Sequence, residues 1–415
     1  MDLHDSLRTC LFESNSVPSN PGSLHILQLA HHTGELQVPF YRHHVGSDAE
    51  AADTLRRQHR TPFVLSFAPL FRVSVCQLPD QNVSYLGFTI HHAITDGIST
   101  HMLIGQIGTC YNAMMQGLSS QIELPSVQVQ YTDYAIWQRT SQLTPVLVRE
   151  LEEYWRSALP STPILDLPTD HPRPSQFGGV QGAVEVDIPA SVARALARMC
   201  GMNGCTLFHG LLAAYGFLLC QLSNATEVVV GFPYANREAG SGCEATVGFF
   251  VNTLPVLVRT EGSLKSLLEQ TKRSVLGAIE HSALPFMKIA NAVGAERDVS
   301  RTRLVQTLLN MNMQGWFEND NSLQFQDMVI EDCSVMTEND AKFELGLDLR
   351  ETKSGSLAGH LYYAKSLYAE QTATDIAQRF QQTLESMAQM AGEDLVLEIE
   401  WLSPQDREML WSLSG

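Results

Sequence analysis

The run 83–90 (Val-Ser-Tyr-Leu-Gly-Phe-Thr-Ile) is mostly apolar, rich in β-branched and aromatic types and preceded by a turn-like stretch, which predicts a strand. Similar runs at 38–45 and 70–78 predict two more, with helical spacing between and after them at 48–58 and 98–115. The texture changes at 159–179, where prolines recur at 160, 163, 168, 172 and 174. Proline fixes φ and removes a backbone donor, so this stretch is expected to be an extended interdomain connector. Beyond it the pattern restarts with a strand at 183–188 and helices at 190–200 and 206–222, Thr206 being the expected N-cap. Strands follow at 227–231 and 251–258, a helix at 263–282 and a strand at 304–313. A hairpin joins 343–349 to 357–363 through Lys353-Ser354-Gly355-Ser356, and a helix at 372–390 closes the compact part.

The strand at 83–90 runs straight into His91-His92-Ala93-Ile94-Thr95-Asp96-Gly97. Strand alternation groups His92 with Leu86, Phe88 and Ile90, and His91 with Tyr85 and Thr89. One imidazole can then face a reaction cavity while its neighbour packs or hydrogen-bonds behind it. A histidine pair at a strand end, with an acid four residues beyond the second, suits acyl transfer. A purely structural strand-end histidine is the plainer alternative.

Composition narrows the choice. The chain has 415 residues, 44% of them hydrophobic and 17% charged, enough for two or three domains of ordinary globular type. Its net charge of −18, with lysines and arginines scattered, argues against a nucleic-acid or anionic-membrane partner. The eight dispersed cysteines form no CxxC and read as reduced thiols of a cytoplasmic protein rather than a disulfide frame or zinc site. The histidine pairs at 31–32 and 43–44 read as surface or strand residues. The longest apolar run, 210–220, is too short to span a bilayer and predicts a buried helix. The opening Met1-Asp2-Leu3-His4 does not resemble a secretory signal. No P-loop, GxGxxG or HExxH occurs, so no metal, nucleotide or flavin is expected.

Six segments in order along the chain resemble the condensation domains of nonribosomal peptide synthetases, members of the HHxxxDG acyltransferase superfamily. Besides His91–Gly97 they are Leu3-His4-Asp5-Ser6-Leu7-Arg8-Thr9-Cys10-Leu11-Phe12 (RHExLRTxF), Tyr131-Thr132-Asp133-Tyr134-Ala135-Ile136-Trp137-Gln138 (YxDYAxWQ) and Val247-Gly248-Phe249-Phe250-Val251-Asn252-Thr253-Leu254-Pro255 (xGFFVNTLP). His281-Ser282-Ala283-Leu284-Pro285-Phe286 is similar to HxxxPF, and Arg297-Asp298-Val299-Ser300-Arg301 to RDxSR. The resemblance implies an α/β fold of two chloramphenicol-acetyltransferase-like lobes, a V-shaped pseudo-dimer with a central tunnel. The lobes are expected at 1–172 and 173–398, with 399–415 starting a linker toward an adenylation domain. Family members begin a few dozen residues earlier, with an SxAQxRLW-type segment, and Leu3 stands where they carry arginine. The first lobe is therefore expected to be N-terminally truncated and to expose apolar surface.

The family reaction forms an amide between substrates carried as thioesters on phosphopantetheine arms. The implied partners are donor and acceptor carrier proteins and an adjacent adenylation domain, with no bound cofactor and the chain a monomeric domain of a larger synthetase. The resemblance makes His92 the principal catalytic candidate, as general base or as positioning residue. It gives His91 a supporting role, and Gly97 a turn conformation or a backbone N–H that polarises the carbonyl. Asp96 is expected to be structural, paired with Arg8. Asn252 and Thr253 fall at the expected lobe interface, Asn312 on the acceptor side, and Tyr131, Asp133 and Trp137 on an anchoring helix. Three other readings stand beside condensation. An epimerisation domain would continue with an SWR-like run, where this chain has Ile98-Ser99-Thr100-His101. A coenzyme A-dependent HxxxD acyltransferase would carry DFGWG late in the chain. A non-catalytic carrier-docking module would lose the motif, which is intact here.

Overall fold

The patterned segments fold into a mixed α/β protein, seen in a computed structural model that describes residues 1–14, 25–78, 82–118, 122–160, 163–237, 240–312, 325–329, 339–402 and 406–407. The chain divides into two compact units, one of Met1–Thr144, Ala235–Val251 and Asp320–Glu338, the other of Pro145–Tyr234, Asn252–Asn319 and Asn339–Gly415. The division falls at Thr144 rather than the expected 172, and two later segments belong with the first unit.

In the first unit a 3-10 turn, Asp5–Arg8, leads into β1 (Thr9–Ser14), antiparallel to β2 (His25–Ala30). A separate sheet has β4 (Phe71–Leu78) at its centre, parallel to β3 (Phe40–His44) and antiparallel to β5 (Val83–Ile90). Helix α1 (Asp48–Arg60) starts at Ser47, whose hydroxyl accepts from Glu50 N, and buries Ala51 with Cys76 and Leu78 on one sheet face. Phe71 and Val73, paired across the sheet with Ile90 and Phe88, pack on the other face against Leu7, Leu70, Ile94 and Val247. Helices α2 (Gly97–Met115) and α3 (Tyr131–Trp137) complete this unit. Phe40, Tyr41, Val83 and Leu86 on the two outer strands remain exposed, as do Ile26 and Leu29.

The second unit begins with α4 (Pro145–Ala158) and continues through β6 (Gln181–Ile188), α5 (Ala190–Met202), α6 (Leu207–Ser223), β7 (Glu227–Tyr234), β8 (Asn252–Arg259), α7 (Leu264–Glu280), α8 (Phe286–Ala292), β9 (Thr307–Asn312), β10 (Leu345–Glu351), β11 (Leu357–Ala364) and α9 (Glu370–Met387). Its sheet runs β6-β11-β10-β9-β7-β8, parallel only where β9 meets β10 and β7. The hairpin expected from the sequence is β10–β11, and the strand expected at 304–313 starts at Thr307, with Met313 outside the described residues. Thr206 caps α6, whose residues 209–220 are all buried, so the apolar run is a core helix. Gly216 lets it approach the sheet: a Cβ there would lie 2.7 Å from Val258. Among the described residues no single helix is long and apolar enough to cross a membrane.

The proline-rich stretch is not a free connector. Leu165 and Leu167 are buried in the second unit, and Arg173 makes two bonds, 2.8 and 3.0 Å, to the fully buried Glu344. Arg301 of the RDxSR segment donates to Leu165 O at 2.9 Å and to Asp166 Oδ1 at 2.6 Å. Proline stiffness here serves a pinned path across the unit's surface. The expected linker at 399–415 lies mostly outside the described residues.

Candidate active site

Strand β5 ends at Ile90, and the next seven residues form a strand–turn–helix corner. His91 N donates to Leu70 O at 2.9 Å, holding the strand end. His91 Nδ1 then accepts from Ala93 N at 3.1 Å, which starts the short turn His92–Ile94. That nitrogen must be unprotonated, and burial, with the neighbouring His92, pushes the His91 pKa down. Its ring also stands edge-on to Phe63, centroids 6.1 Å apart. In this structure His91 is a neutral ring that caps the turn and packs on Phe63.

His92 has the complementary tautomer. Its Nδ1 lies 2.7 Å from Thr95 O, and a carbonyl only accepts, so Nδ1 carries a proton and in the neutral ring the lone pair is on Nε2. The side chain is exposed, with Phe249 edge-on to it at 5.2 Å and 80°. Such an imidazole can accept a proton or hydrogen bond from a bound group without losing its anchor. Gly97 opens α2 within helical backbone, so a positive φ is not what selects glycine there.

Asp96 is the N-cap of α2, its Oδ1 accepting from Ser99 N at 2.8 Å. Its cationic partner is Arg237, not Arg8. Arg237 Nη2 lies 3.2 Å from both carboxylate oxygens, and the two side chains are only 6% and 3% exposed. Arg8 is occupied elsewhere: its guanidinium donates to the carbonyls of Met1 (2.7 Å), Asp2 (3.0 Å), His4 (3.1 Å) and His31 (3.0 Å), tying down the chain's start. Four backbone acceptors satisfy this arginine, and none is a carboxylate.

Residues 246–250 form a strap on the first unit whose backbone groups are held by side chains from separate parts of the chain. Arg237 Nη1 donates to Thr246 O at 2.7 Å and Ser6 Oγ to Val247 O at 2.8 Å. Ser99 Oγ donates to Gly248 O (2.9 Å) and accepts from Gly248 N (3.0 Å). Tyr131 Oη donates to Phe249 O at 2.8 Å, and Phe250 N donates to Asp96 Oδ2 at 3.0 Å. Burial pushes the Tyr131 pKa far up, which keeps the phenol a donor. Gly248 is required by close approach: a Cβ there would sit 2.1 Å from the Tyr131 ring. Phe250 points inward beneath the Arg237 guanidinium, 4.0 Å away.

The other expected site residues lie apart from this corner or act structurally. Asn252 Nδ2 donates to Ser282 O and Leu284 O, both at 2.9 Å, and Oδ1 accepts from Phe286 N at 3.0 Å. This one side chain therefore joins the xGFFVNTLP and HxxxPF segments within the second unit. Thr253 is half-buried on β8, its methyl 3.2 Å from where a Gly231 Cβ would be. His281 stacks on Tyr154, centroids 3.5 Å apart, and donates from Nδ1 to Gly277 O. Asn312 ends β9, and its side chain lies outside what is described. Asp133 accepts from Gln130 N at the start of α3, and Trp137 is exposed. Asp5 ties the first segment to that helix, accepting from both Thr132 N (3.1 Å) and Thr132 Oγ1.

Sequence reasoning missed Arg237. It sits in Tyr-Ala-Asn-Arg-Glu just after β7, with no periodicity or charge run to mark it. The available signal was indirect: a buried aspartate requires a cation, and Arg8 was not the only candidate.

Comparison with known proteins agrees with the motif reading. The condensation-domain family model matches residues 1–411. Gramicidin S synthase 2 of Brevibacillus brevis is 30% identical over 416 residues, covering 99% of this chain and 9% of that protein. Malpinin synthetase of Mortierella alpina is 35% identical over 320 residues, 76% of this chain and 4% of that protein. The chain thus spans less than a tenth of these relatives. Among solved structures, the X-domain from teicoplanin biosynthesis, in complex with OxyB, has a TM-score of 0.78 at 20% identity, covering 97% of this chain and 86% of that one. The first condensation domain of the calcium-dependent antibiotic synthetase has a TM-score of 0.71 at 16% identity, covering 97% and 88%. With the family model spanning nearly its whole length, this chain belongs to the condensation-domain family.

Proposed function

We propose that the chain forms an amide bond by transferring a carrier-bound acyl or peptidyl thioester to the amine of a carrier-bound aminoacyl acceptor. The observation that carries this reading is His92: an exposed imidazole, its proton fixed on Nδ1 by Thr95 O, presenting a lone pair at Nε2.

An α-amine titrates near ~8, so part of it is already neutral at pH 7, and a thioester is an activated acyl group. Orientation then matters more than strong base catalysis and can contribute on the order of 7–11 kcal/mol. The amine nitrogen bonds the carbonyl carbon while Nε2 accepts a hydrogen bond from the attacking nitrogen. The resulting oxyanion can be met by the Gly97 N–H, which as the first residue of α2 has no acceptor within the helix. Collapse breaks the carbon–sulfur bond, and the departing thiolate takes up the proton the amine gives up. Asp96 and Arg237 hold the corner and the strap in register and take no proton. Phosphopantetheine enters as the arm of each substrate, donor and acceptor carriers are the partners, and an adenylation domain is the expected neighbour in a longer synthetase.

A docking role receives some support from the fold shared with the X-domain. The intact histidine pair and the ordered Nε2 favour catalysis. The test is intact-protein mass spectrometry of two loaded carrier proteins incubated with this chain. Condensed product on the acceptor carrier, absent with His92→Ala, is the expected result. A folded chain that binds carriers and yields no product would overturn the reading in favour of docking.

A further inference from the structure

We propose that Phe249 is a positioning residue for His92, and that Tyr131 sets Phe249 through the backbone of the strap. This rests on the reading of His92 as the reacting imidazole and adds to it a group that governs the ring's orientation.

Phe249 is 41% exposed, although both of its neighbours in the motif are turned to other uses. Gly248 is reduced to backbone by the Tyr131 ring, and Phe250 is buried beneath Arg237. A half-exposed phenylalanine gains little from burial, yet the backbone around it is unusually constrained. Gly248 is fixed at both N–H and carbonyl by Ser99, the Phe249 carbonyl by Tyr131, and the next N–H by Asp96. Such a strap holds one side chain in one place, and that side chain meets His92 edge-on at 5.2 Å. The Thr95 carbonyl holds Nδ1–H, but with that single hydrogen bond alone the ring can rotate about its side-chain bonds, leave the carbonyl and exchange tautomers. Phe249 supplies the second constraint, so that Nε2 points one way. Reacting groups held by a rigid supporting shell lose activity when that shell is loosened by small displacements.

The test reads the imidazole first and activity second. Imidazole 15N spectra are recorded without substrate for the unsubstituted chain and for Phe249→Ala, Phe249→Tyr and Tyr131→Phe, the His92 signals being assigned by their loss in His92→Gln. The unsubstituted chain should show His92 in the Nδ1–H tautomer. Phe249→Ala should show averaging with the other tautomer, Phe249→Tyr should keep the original signature, and Tyr131→Phe should fall between them. In carrier assays Phe249→Ala should lower kcat by about tenfold or more with KM nearly unchanged, and Phe249→Tyr should restore it. An unchanged His92 spectrum in Phe249→Ala would overturn the proposal, as would a rise in KM alone, which would place Phe249 against substrate. Because the spectra need no turnover, absence of amide formation by the unsubstituted chain would refute the proposed reaction and leave the positioning claim decided separately.

Discussion

Replacing Arg237 by methionine should destabilise the first unit more than any other single change at the corner. The substitution keeps an unbranched side chain and removes the charge, leaving the Asp96 carboxylate 3% exposed with only two backbone N–H partners. It also withdraws the donors to Cys243 O, Thr246 O and Ser99 Oγ. Removing one member of a buried pair typically costs about 3–5 kcal/mol, since the remaining charge is uncompensated. For a unit of this size that corresponds to a fall in Tm of about 6–20 °C. Asp96→Asn should fall at the lower end, because Arg237 retains its carbonyl partners and the Phe250 face. Urea unfolding of both single variants and the double variant gives the coupling directly. Residues in contact couple, and we expect at least about 1.5 kcal/mol between Asp96 and Arg237. The parallel cycle of Asp96→Asn with Arg8→Met should close within about 0.5 kcal/mol, although Arg8→Met is itself costly. Strong coupling to Arg8 with none to Arg237 would refute the assignment.

Gly248→Ala places a methyl where the Tyr131 ring lies, so it should unfold the strap or shift the ring, costing about 1–3 kcal/mol; denaturation midpoints should show partial recovery on adding Tyr131→Ala, and a neutral Gly248→Ala would contradict the contact. Asn252→Ala strips three hydrogen bonds from the turn before α8 and should cost about 2 kcal/mol while leaving the His92 spectrum unchanged; loss of the His92 signature would tie Asn252 to the site after all. Burial holds the pKa values of His4, His91 and His209 below the ordinary histidine value. The unfolded chain then binds more protons, so their contribution to stability is complete above pH ~6.5 and is lost as pH falls from there toward the lowered folded values. Melting curves between pH 7.5 and about 5 should show this slope, reduced by His4→Gln; a flat profile would count against it.

The elements were largely legible where periodicity alone decides them. The strand at 83–90 and the helix over 210–220 read correctly because β-branched and aromatic content and a continuous apolar run are local signals. The His91–Gly97 corner was legible for the same reason: strand, turn and cap are all encoded within a few residues. Partnerships between distant segments were not. Arg8 and Arg237 are both buried arginines, and nothing local says which meets Asp96. That is settled by the carbonyls of Met1, Asp2, His4 and His31, which satisfy Arg8. The proline-rich stretch misled because proline reports stiffness, not exposure; Arg173, Leu165 and Leu167 decide that it is pinned to the second unit. Asn252 is expected at the lobe interface because it stands in a motif, and its bonds within the second unit show motif membership serving architecture.

The most direct test of the account is single-turnover transfer between loaded carriers, measured alongside thermal unfolding for the unsubstituted chain, His92→Ala and His91→Ala. His92 is exposed and donates one bond within its own turn, so its loss should leave Tm nearly unchanged while transfer falls by about 100-fold or more. His91→Ala should do the reverse, lowering Tm through the lost cap and Phe63 contact, with transfer per folded molecule falling far less. Undiminished transfer by a folded His92→Ala would contradict the central claim that its Nε2 serves the reaction.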